Sequence, residues 1–441
     1  MTADTSATSA PRDIAIVIHP TTAADAIRQP QSRLDEAAGL ALALDLDVAA
    51  AEIAPVRRLS PGTYFGTGRV ERIKTDVEAA GARVVVVDAQ LSPVQQRNLE
   101  RAIGAKVVDR TGLILEIFGR RARTREGRLQ VELARQDYEK SRLVRTWTHL
   151  ERQRGGLGKT GGPGETQLEL DRRIIGARID RLKADLDEVR RTRGLQRAAR
   201  KRAGLPTVAL VGYTNAGKSS LFNRLTEAGV LAKDMLFATL DPTARLVRAK
   251  DRRPFILTDT VGFITDLPHE LIDAFRATLE EVTAADVLVH VRDIAHPETD
   301  AQKADVEAVL SQIIDDETGS PVIIEAWNKI DLLEPERRAS RLSRAGNGSG
   351  EGAIVAISAA TGEGVDALIA AIEREAYGPT QTVTVHLDPA DGRTRAWIGA
   401  RGRVVEEHLE ADGRYAITAE LASEARAQLA EILNARGGRA D

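Results

Sequence analysis

The 441-residue chain contains no cysteine. Disulfides and thiolate metal sites are therefore excluded, and the composition fits a reducing compartment. Nor is there any apolar run of about 18 residues, the length a membrane-spanning helix needs. The opening residues MTADTSATSAPRD have no apolar core, so a secretory signal is not expected. Charge of either sign is hardly in excess: 62 Lys+Arg stand against 65 Asp+Glu, a net −3 that by itself names no partner. A chain of this length is expected to form about two to four domains with real cores.

What is present is a phosphate-handling signature. Gly212-Tyr213-Thr214-Asn215-Ala216-Gly217-Lys218-Ser219 reads G-x-x-x-x-G-K-S. It lies between an apolar strand, Val208 to Val211, and a helix-like run from Ser220 to Leu225. Glycines let the backbone wrap an anion with its N–H groups, and the helix N-terminus that begins near Ser220 adds its positive end. Lys218 then supplies charge for the β- and γ-phosphates, and the Ser219 hydroxyl is left to ligate Mg²⁺.

Three further motifs follow in order. Asp259-Thr260-Val261-Gly262 closes a second apolar strand, Phe255 to Leu257, 41 residues after Lys218. Asp259 can hold Mg²⁺ through water, and the Gly262 N–H can meet a γ-phosphate. Asn328-Lys329-Ile330-Asp331 follows the buried-strand run Val322 to Ala326. A carboxylate at Asp331 accepts from guanine N1–H and from its 2-amino group. Adenine offers neither donor and would leave the charge unpaired, so GTP is favoured over ATP. Ser358-Ala359, after Ile354 to Ile357, can supply an N–H to guanine O6.

Between the first two motifs lies Leu236-Phe237-Ala238-Thr239-Leu240-Asp241-Pro242-Thr243. A second hydroxyl ligand for Mg²⁺, one that lets go when the γ-phosphate leaves, is expected here, and Thr239 is preferred to Thr243. Phe237, Ala238, Thr239, Leu240 and Asp241 are accordingly expected to line the nucleotide. Lys218, Thr239 and Gly262 are the groups expected to act on the reacting phosphate. Position 263 is anomalous. Ras-like proteins place a water-orienting glutamine just after D-x-x-G; here it is Phe263, so hydrolysis is slow or water is positioned by the switch loops or a partner.

Charge is unevenly spread. From Arg120 to Arg202 there are 24 basic and 12 acidic residues, a local +12 that leaves −15 elsewhere. Such a block points to a polyanion. At its centre, Gly155 to Gly164 holds six glycines and Pro163, read as non-helical, between helix-like flanks Leu129 to Arg152 and Gln167 to Arg193. Two long helices joined by a basic loop are expected, with Arg152, Arg154 and Lys159 as RNA contacts.

The expected organisation is multidomain α/β. Residues 1–11 are a disordered tail. Residues 12–119 form an N-terminal α/β domain with parallel strands, including Ile14 to Ile18, Val84 to Val87 and Lys106 to Val108. Its helices include one from Arg33 to Leu42 and one capped by Ser92-Pro93. Gly66-Thr67-Gly68 starts another helix. Residues 120–203 are the basic helical hairpin, and 204–378 a doubly wound P-loop domain. Residues 379–441 are a small α+β domain, opening with a strand from Thr382 to Leu387 and closing with a helix from Ser423 to Leu433.

Four stretches carry a resemblance. They are Arg110-Thr111-Gly112-Leu113-Ile114-Leu115-Glu116-Ile117-Phe118 with Arg121 to Gly127; Gly161-Gly162-Pro163-Gly164-Glu165-Thr166-Gln167-Leu168-Glu169; Phe237 to Thr243; and Asp266-Leu267-Pro268-His269-Glu270-Leu271. Together they resemble the HflX family of ribosome-associated GTPases across roughly residues 12 to 378, and the GPGETQLE stretch is far more specific than a P-loop. The resemblance implies a cytoplasmic, monomeric GTPase that uses Mg²⁺ and binds the large ribosomal subunit and its rRNA. A family role in splitting or rescuing stalled ribosomes under stress follows, and a hydrophobic residue at position 263 is shared with that family. An alternative of a different class is a GTP-gated assembly or anti-association factor in which hydrolysis only resets binding. A metabolic ATPase is disfavoured by Asp331.

Overall fold

A computed structural model of the chain describes residues 12–22, 28–153, 163–202, 205–226, 236–241, 243–249, 252–268, 271, 281–314, 321–346, 353–378 and 380–434. The chain forms two compact units. Unit 1 comprises Met1–Arg191 with Lys233–Asp241 and Ile264–Ala277; unit 2 comprises Thr192–Ala232, Pro242–Phe263 and Thr278–Asp441.

Unit 1 is built on four strands, β1 (Ile14–Thr21), β2 (Asp47–Pro55), β3 (Val84–Val87) and β4 (Lys106–Asp109), in the order β2-β1-β3-β4. All pairings are parallel. β1 reads IAIVIHPT with its six inner residues buried, as a strand covered on both faces must. Its helices are α1 (Pro30–Ala43), α2 (Thr67–Ala80), α3 (Pro93–Ile103), α4 (Arg110–Arg121) and α5 (Arg125–Gln153), followed by α6 (Pro163–Arg202), whose last residues belong to unit 2.

Local chemistry sets the helix ends. Gly66 caps α2, as the sequence suggests. Ser92 and Gln95 form a reciprocal capping box on α3, with Pro93 in the first turn, and Gly104 ends that helix at φ 78°. The basic helices are longer than their patterning indicates. α6 already begins at Pro163, so Pro163 and Gly164 are helical where a non-helical stretch is expected; proline suits a first helical position because its missing N–H has no partner there in any case.

Unit 2 carries a six-stranded sheet in the order β10-β9-β8-β5-β7-β6. The strands are β5 (Thr207–Val211), β6 (Thr243–Val247), β7 (Phe255–Asp259), β8 (Val287–Asp293), β9 (Val322–Asn328) and β10 (Ile354–Ala356). All pair in parallel except β6, which runs antiparallel to β7 at the edge. Helices α7 (Lys218–Thr226), α8 (Thr299–Ile313), α9 (Pro335–Gly346) and α10 (Val365–Tyr377) accompany them. Val208, Leu210, Phe222, Leu257, Val289 and Ile324 are fully buried in its core. The C-terminal part of the same unit is a three-stranded antiparallel sheet, β11 (Thr380–Leu387), β13 (Tyr415–Ala422) and β12 (Arg403–Leu409), with α11 (Gly392–Arg401) and α12 (Ser423–Asn434). Ile398, Leu429 and Leu433 pack it into a separate core.

Candidate functional site

The G-x-x-x-x-G-K-S stretch leaves the end of β5 and enters α7, which opens at Lys218. Two of its glycines are required by geometry. Gly212 lies at φ 146° and Gly217 at φ 95°; a Cβ would fall 2.2 Å from Val291 O at the first and 2.2 Å from Asn328 Nδ2 at the second. Asn215 is also left-handed, at φ 60°. Lys218 is buried and donates from Nζ to Gly212 O at 3.0 Å and Tyr213 O at 2.7 Å. Burial pulls its ammonium down to about 8, against the opposing pull of Asp259. An anion brought to these N–H groups would favour the charged form.

Asp259 ends β7 fully buried, and its Oδ2 accepts from Ser219 Oγ at 2.8 Å. Two hard oxygens side by side suit a Mg²⁺ ion, directly or through water. Thr260 is turned to the core and donates to Leu210 O at 2.6 Å. Val261 is buried, and a Cβ on Gly262 would come within 2.9 Å of Lys218 Nζ. Phe263 is buried at 2% exposure, its N–H bonded to Gly212 O at 3.1 Å and its carbonyl to Thr214 N at 2.7 Å. The residue that replaces the expected glutamine is thus an anchor that fixes the D-x-x-G turn against the P-loop.

Asn328 ends β9 with both ends of its amide used. Nδ2 donates to Ala216 O at 2.8 Å and Oδ1 accepts from Ala359 N at 2.9 Å. One side chain therefore ties the P-loop to Ser358-Ala359. Lys329 adopts φ 66° and pairs with Asp293 at 2.7 Å. Ile330 is buried beneath a 3₁₀ turn that leaves Asp331 exposed. Ser358 is fully buried and its Oγ accepts from Thr361 N at 3.1 Å. Of the two N–H groups in the Ser358-Ala359 pair expected to serve guanine O6, that of Ala359 is given to Asn328 and that of Ser358 to Glu363 O at 2.9 Å in this structure. Arg224 on α7 adds a clamp that no motif signals, donating to Ala359 O at 2.6 Å and to Ala360 O.

The Phe237 to Asp241 segment belongs to unit 1 and is described there. Phe237, at φ 54°, sets its ring edge-on to Phe118 with centroids 4.7 Å apart. Leu240 is buried, while Ala238 and Thr239 are partly exposed. The Asp241 carboxylate accepts from the N–H groups of Arg123 at 2.8 Å and Thr124 at 3.0 Å and from the Thr124 hydroxyl, at the start of α5. Two side chains expected at the nucleotide, Phe237 and Asp241, are thus engaged inside unit 1. Arg154, Lys159 and the tail 1–11 lie outside the described residues, as does the side chain of Arg152. Among the described residues no cluster of three His, Asp or Glu side chains could hold a metal, and no helix is long and apolar enough to cross a membrane.

Comparison with known proteins covers most of the chain. Residues 31–119 match the GTP-binding GTPase N-terminal model and 121–200 the GTP-binding GTPase middle region. Residues 207–329 match the model described as 50S ribosome-binding GTPase, and 344–438 the HflX C-terminal domain. The last match reaches past the stretch in which motifs alone carried a resemblance. The chain is 51% identical over 377 residues to GTPase HflX of Magnetococcus marinus, covering 85% of each chain. It is 47% identical to GTPase HflX of Escherichia coli over 354 residues, 80% of this chain and 81% of that one. Among solved structures, a GTP-binding protein from Sulfolobus solfataricus in complex with GDP aligns over 82% of this chain and 98% of its own, at 24% identity and a TM-score of 0.45.

Proposed function

The chain belongs to the HflX family of GTPases, and from that premise we propose that it hydrolyses GTP when docked on the large ribosomal subunit, splitting or rescuing stalled ribosomes under stress. The observation that best supports the nucleotide part is the convergence around Asn328, which bonds the P-loop and Ser358-Ala359 together while Ser219 meets Asp259. In this reading the amides of Gly212 to Ser220 and Lys218 hold the phosphates, Gly262 meets the γ-phosphate and Asp331 pairs the guanine edge. Ser219 and Thr239 would hold Mg²⁺, which when bound neutralises charge on the β- and γ-oxygens. With Phe263 buried, no side-chain amide follows Gly262 to orient water, so basal turnover is slow. The 24 basic residues between Arg120 and Arg202 supply the attraction for rRNA. The protein is read as cytoplasmic and monomeric.

Turnover measured with and without large subunits tests this. At least about tenfold stimulation is expected, or about 1.4 kcal/mol of barrier. Replacing Arg152, Arg154 and Lys159 together with Ala should flatten the salt dependence of ribosome binding and cut the stimulation, with basal turnover intact. Subunit dissociation that runs equally well with a non-hydrolysable analogue would instead assign hydrolysis to resetting the clamp. Base choice has its own check: Asp331→Asn should move preference towards xanthosine triphosphate, since an amide can donate to a 2-oxo group that a carboxylate repels.

A further inference from the structure

Arg224 stands in the last turn of α7, and its guanidinium reaches the loop that follows β10. Nε donates to Ala359 O at 2.6 Å and Nη2 to Ala360 O. The helix, the loop and every bond described below belong to unit 2. Lys218 opens the same helix, so the phosphate-binding turn and the arginine are about 9 Å apart along one rigid element.

The loop spends most of its own donors internally. Ser358 N–H goes to Glu363 O at 2.9 Å, Gly362 N–H to Ser358 O at 2.8 Å and Thr361 N–H to Ser358 Oγ at 3.1 Å. Ala359 N–H goes to Asn328 Oδ1 at 2.9 Å. From Ser358 to Gly362 that leaves Ala360, an exposed residue whose N–H has no acceptor among the described residues. Arg224 controls this donor through the carbonyl beside it. The peptide joining Ala359 to Ala360 is trans and planar, so its N–H runs opposite to the C=O that Arg224 holds. A cation on that carbonyl also polarises the peptide and makes its N–H a stronger donor.

We propose that Arg224 is a positioning residue for guanine recognition: by holding the carbonyls of Ala359 and Ala360 it aims the Ala360 N–H at guanine O6. The inference rests on the nucleotide reading given above and names the O6 donor, since Ser358 and Ala359 give their N–H groups to the protein itself. Adenine would bring a 6-amino donor against this N–H, so the contact discriminates at position 6 as Asp331 does at N1 and the 2-amino group. Two successive carbonyls need a planar fork, which a lysine ammonium does not offer.

The test uses the full chain with Arg224→Gln and Arg224→Lys, and reads the affinities of GDP, inosine diphosphate and 6-thioguanosine diphosphate. Arg224 is exposed, so its replacement leaves folding unthreatened, and the denaturant midpoint verifies this. GDP affinity should fall about tenfold in Arg224→Gln and about fivefold in Arg224→Lys. Inosine diphosphate keeps O6 and should lose the same factors. The thio analogue, whose sulfur accepts hydrogen bonds weakly, should lose no more than about twofold. Single-turnover hydrolysis at saturating GTP should stay within about twofold, because a base contact is alike in the ground and transition states. In the unsubstituted chain GDP should slow amide exchange at Ala360, and the thio analogue should slow it less. Unchanged GDP affinity in Arg224→Gln overturns the proposal. So does an equal loss for GDP and its thio analogue, which would make the arginine a brace of the loop with no bearing on O6, and so does Ala360 exchange that GDP leaves untouched. If the unsubstituted chain binds no guanine nucleotide, the nucleotide reading itself has failed.

Discussion

The parallel strands of the four-stranded and the six-stranded sheet carry polar residues at the same end and use them in opposite ways. In unit 1, His19, Asp88 and Asp109 lie at the carboxyl ends of β1, β3 and β4, and they are satisfied from within. Arg110, Arg33, Tyr138 and backbone N–H groups complete them. Burial opposes the charge on Asp88, yet Arg110, His19 and Arg33 hold its carboxyl well below the usual range. In unit 2, the same edge carries Asp259 and Asn328 beside a loop whose buried lysine has only carbonyls as hydrogen-bond acceptors. One edge is closed by ion pairs and confers stability. The other leaves its cation hydrogen-bonded to carbonyls, with Asp259 acting on it only as a charge nearby, and a phosphate would relieve that deficit.

Breaking a partner should therefore do different damage at each edge. The largest effect is expected from Asp88→Asn, which leaves buried Arg110 underpaired at a cost of about 3–5 kcal/mol. The loss should appear in the denaturant midpoint, with GDP affinity nearly unchanged; comparable losses in both would blur the contrast. Lys218→Ala should weaken nucleotide binding by about 30- to 150-fold, about 2–3 kcal/mol, while the unfolding midpoint of the nucleotide-free protein holds or rises. A midpoint that fell as far as in Asp88→Asn would mean Lys218 is part of the scaffold. The smallest effect is in pH. The folded-state value of Lys218, about 8, lies below the ordinary lysine value, so its charged form is disfavoured in the free protein. Binding that requires the ammonium should take up a proton as pH rises through 8, costing roughly twofold in affinity there. Calorimetry in buffers of different ionisation enthalpy reads the uptake directly; zero uptake between pH 7 and 8.5 would put the lysine fully charged. Asp88 has the opposite sign: its contribution to stability is full above the ordinary carboxylate range and is lost only as pH falls through that range and below.

The unit 2 site was largely legible in the sequence because phosphate and base contacts impose fixed residue types at short spacing. Gly212, Gly217, Ser219, Asp259 and Asn328 all come together as their motifs indicate. The Arg224 clamp and the bond from Arg110 to the Thr265 carbonyl were not legible, since nothing local marks them: Arg110 and Thr265 are 155 residues apart. Phe237 and Asp241 were assigned by their neighbourhood to Thr239, and only tertiary packing reveals what their side chains touch. In the fold, β3 announced itself as an unbroken valine run and β1 as an apolar run rich in β-branched residues. β2, DVAAAEIAP, did not, because alanine has little strand preference and most of this edge strand is exposed; it exists through its pairing with β1.

Among the described residues, six other than glycine adopt positive φ, and four of them, Asn215, Phe237, Asp266 and Lys329, sit in or beside the nucleotide motifs. Each left-handed residue costs on the order of 1 kcal/mol relative to glycine. A stabilisation campaign would naturally choose glycine at all four. At three of them it would remove a contact along with the strain: Phe237 from Phe118, Asp266 from Arg33, Lys329 from Asp293. Strain and anchoring are thus written into the same few codons, so a glycine placed there gives up both together.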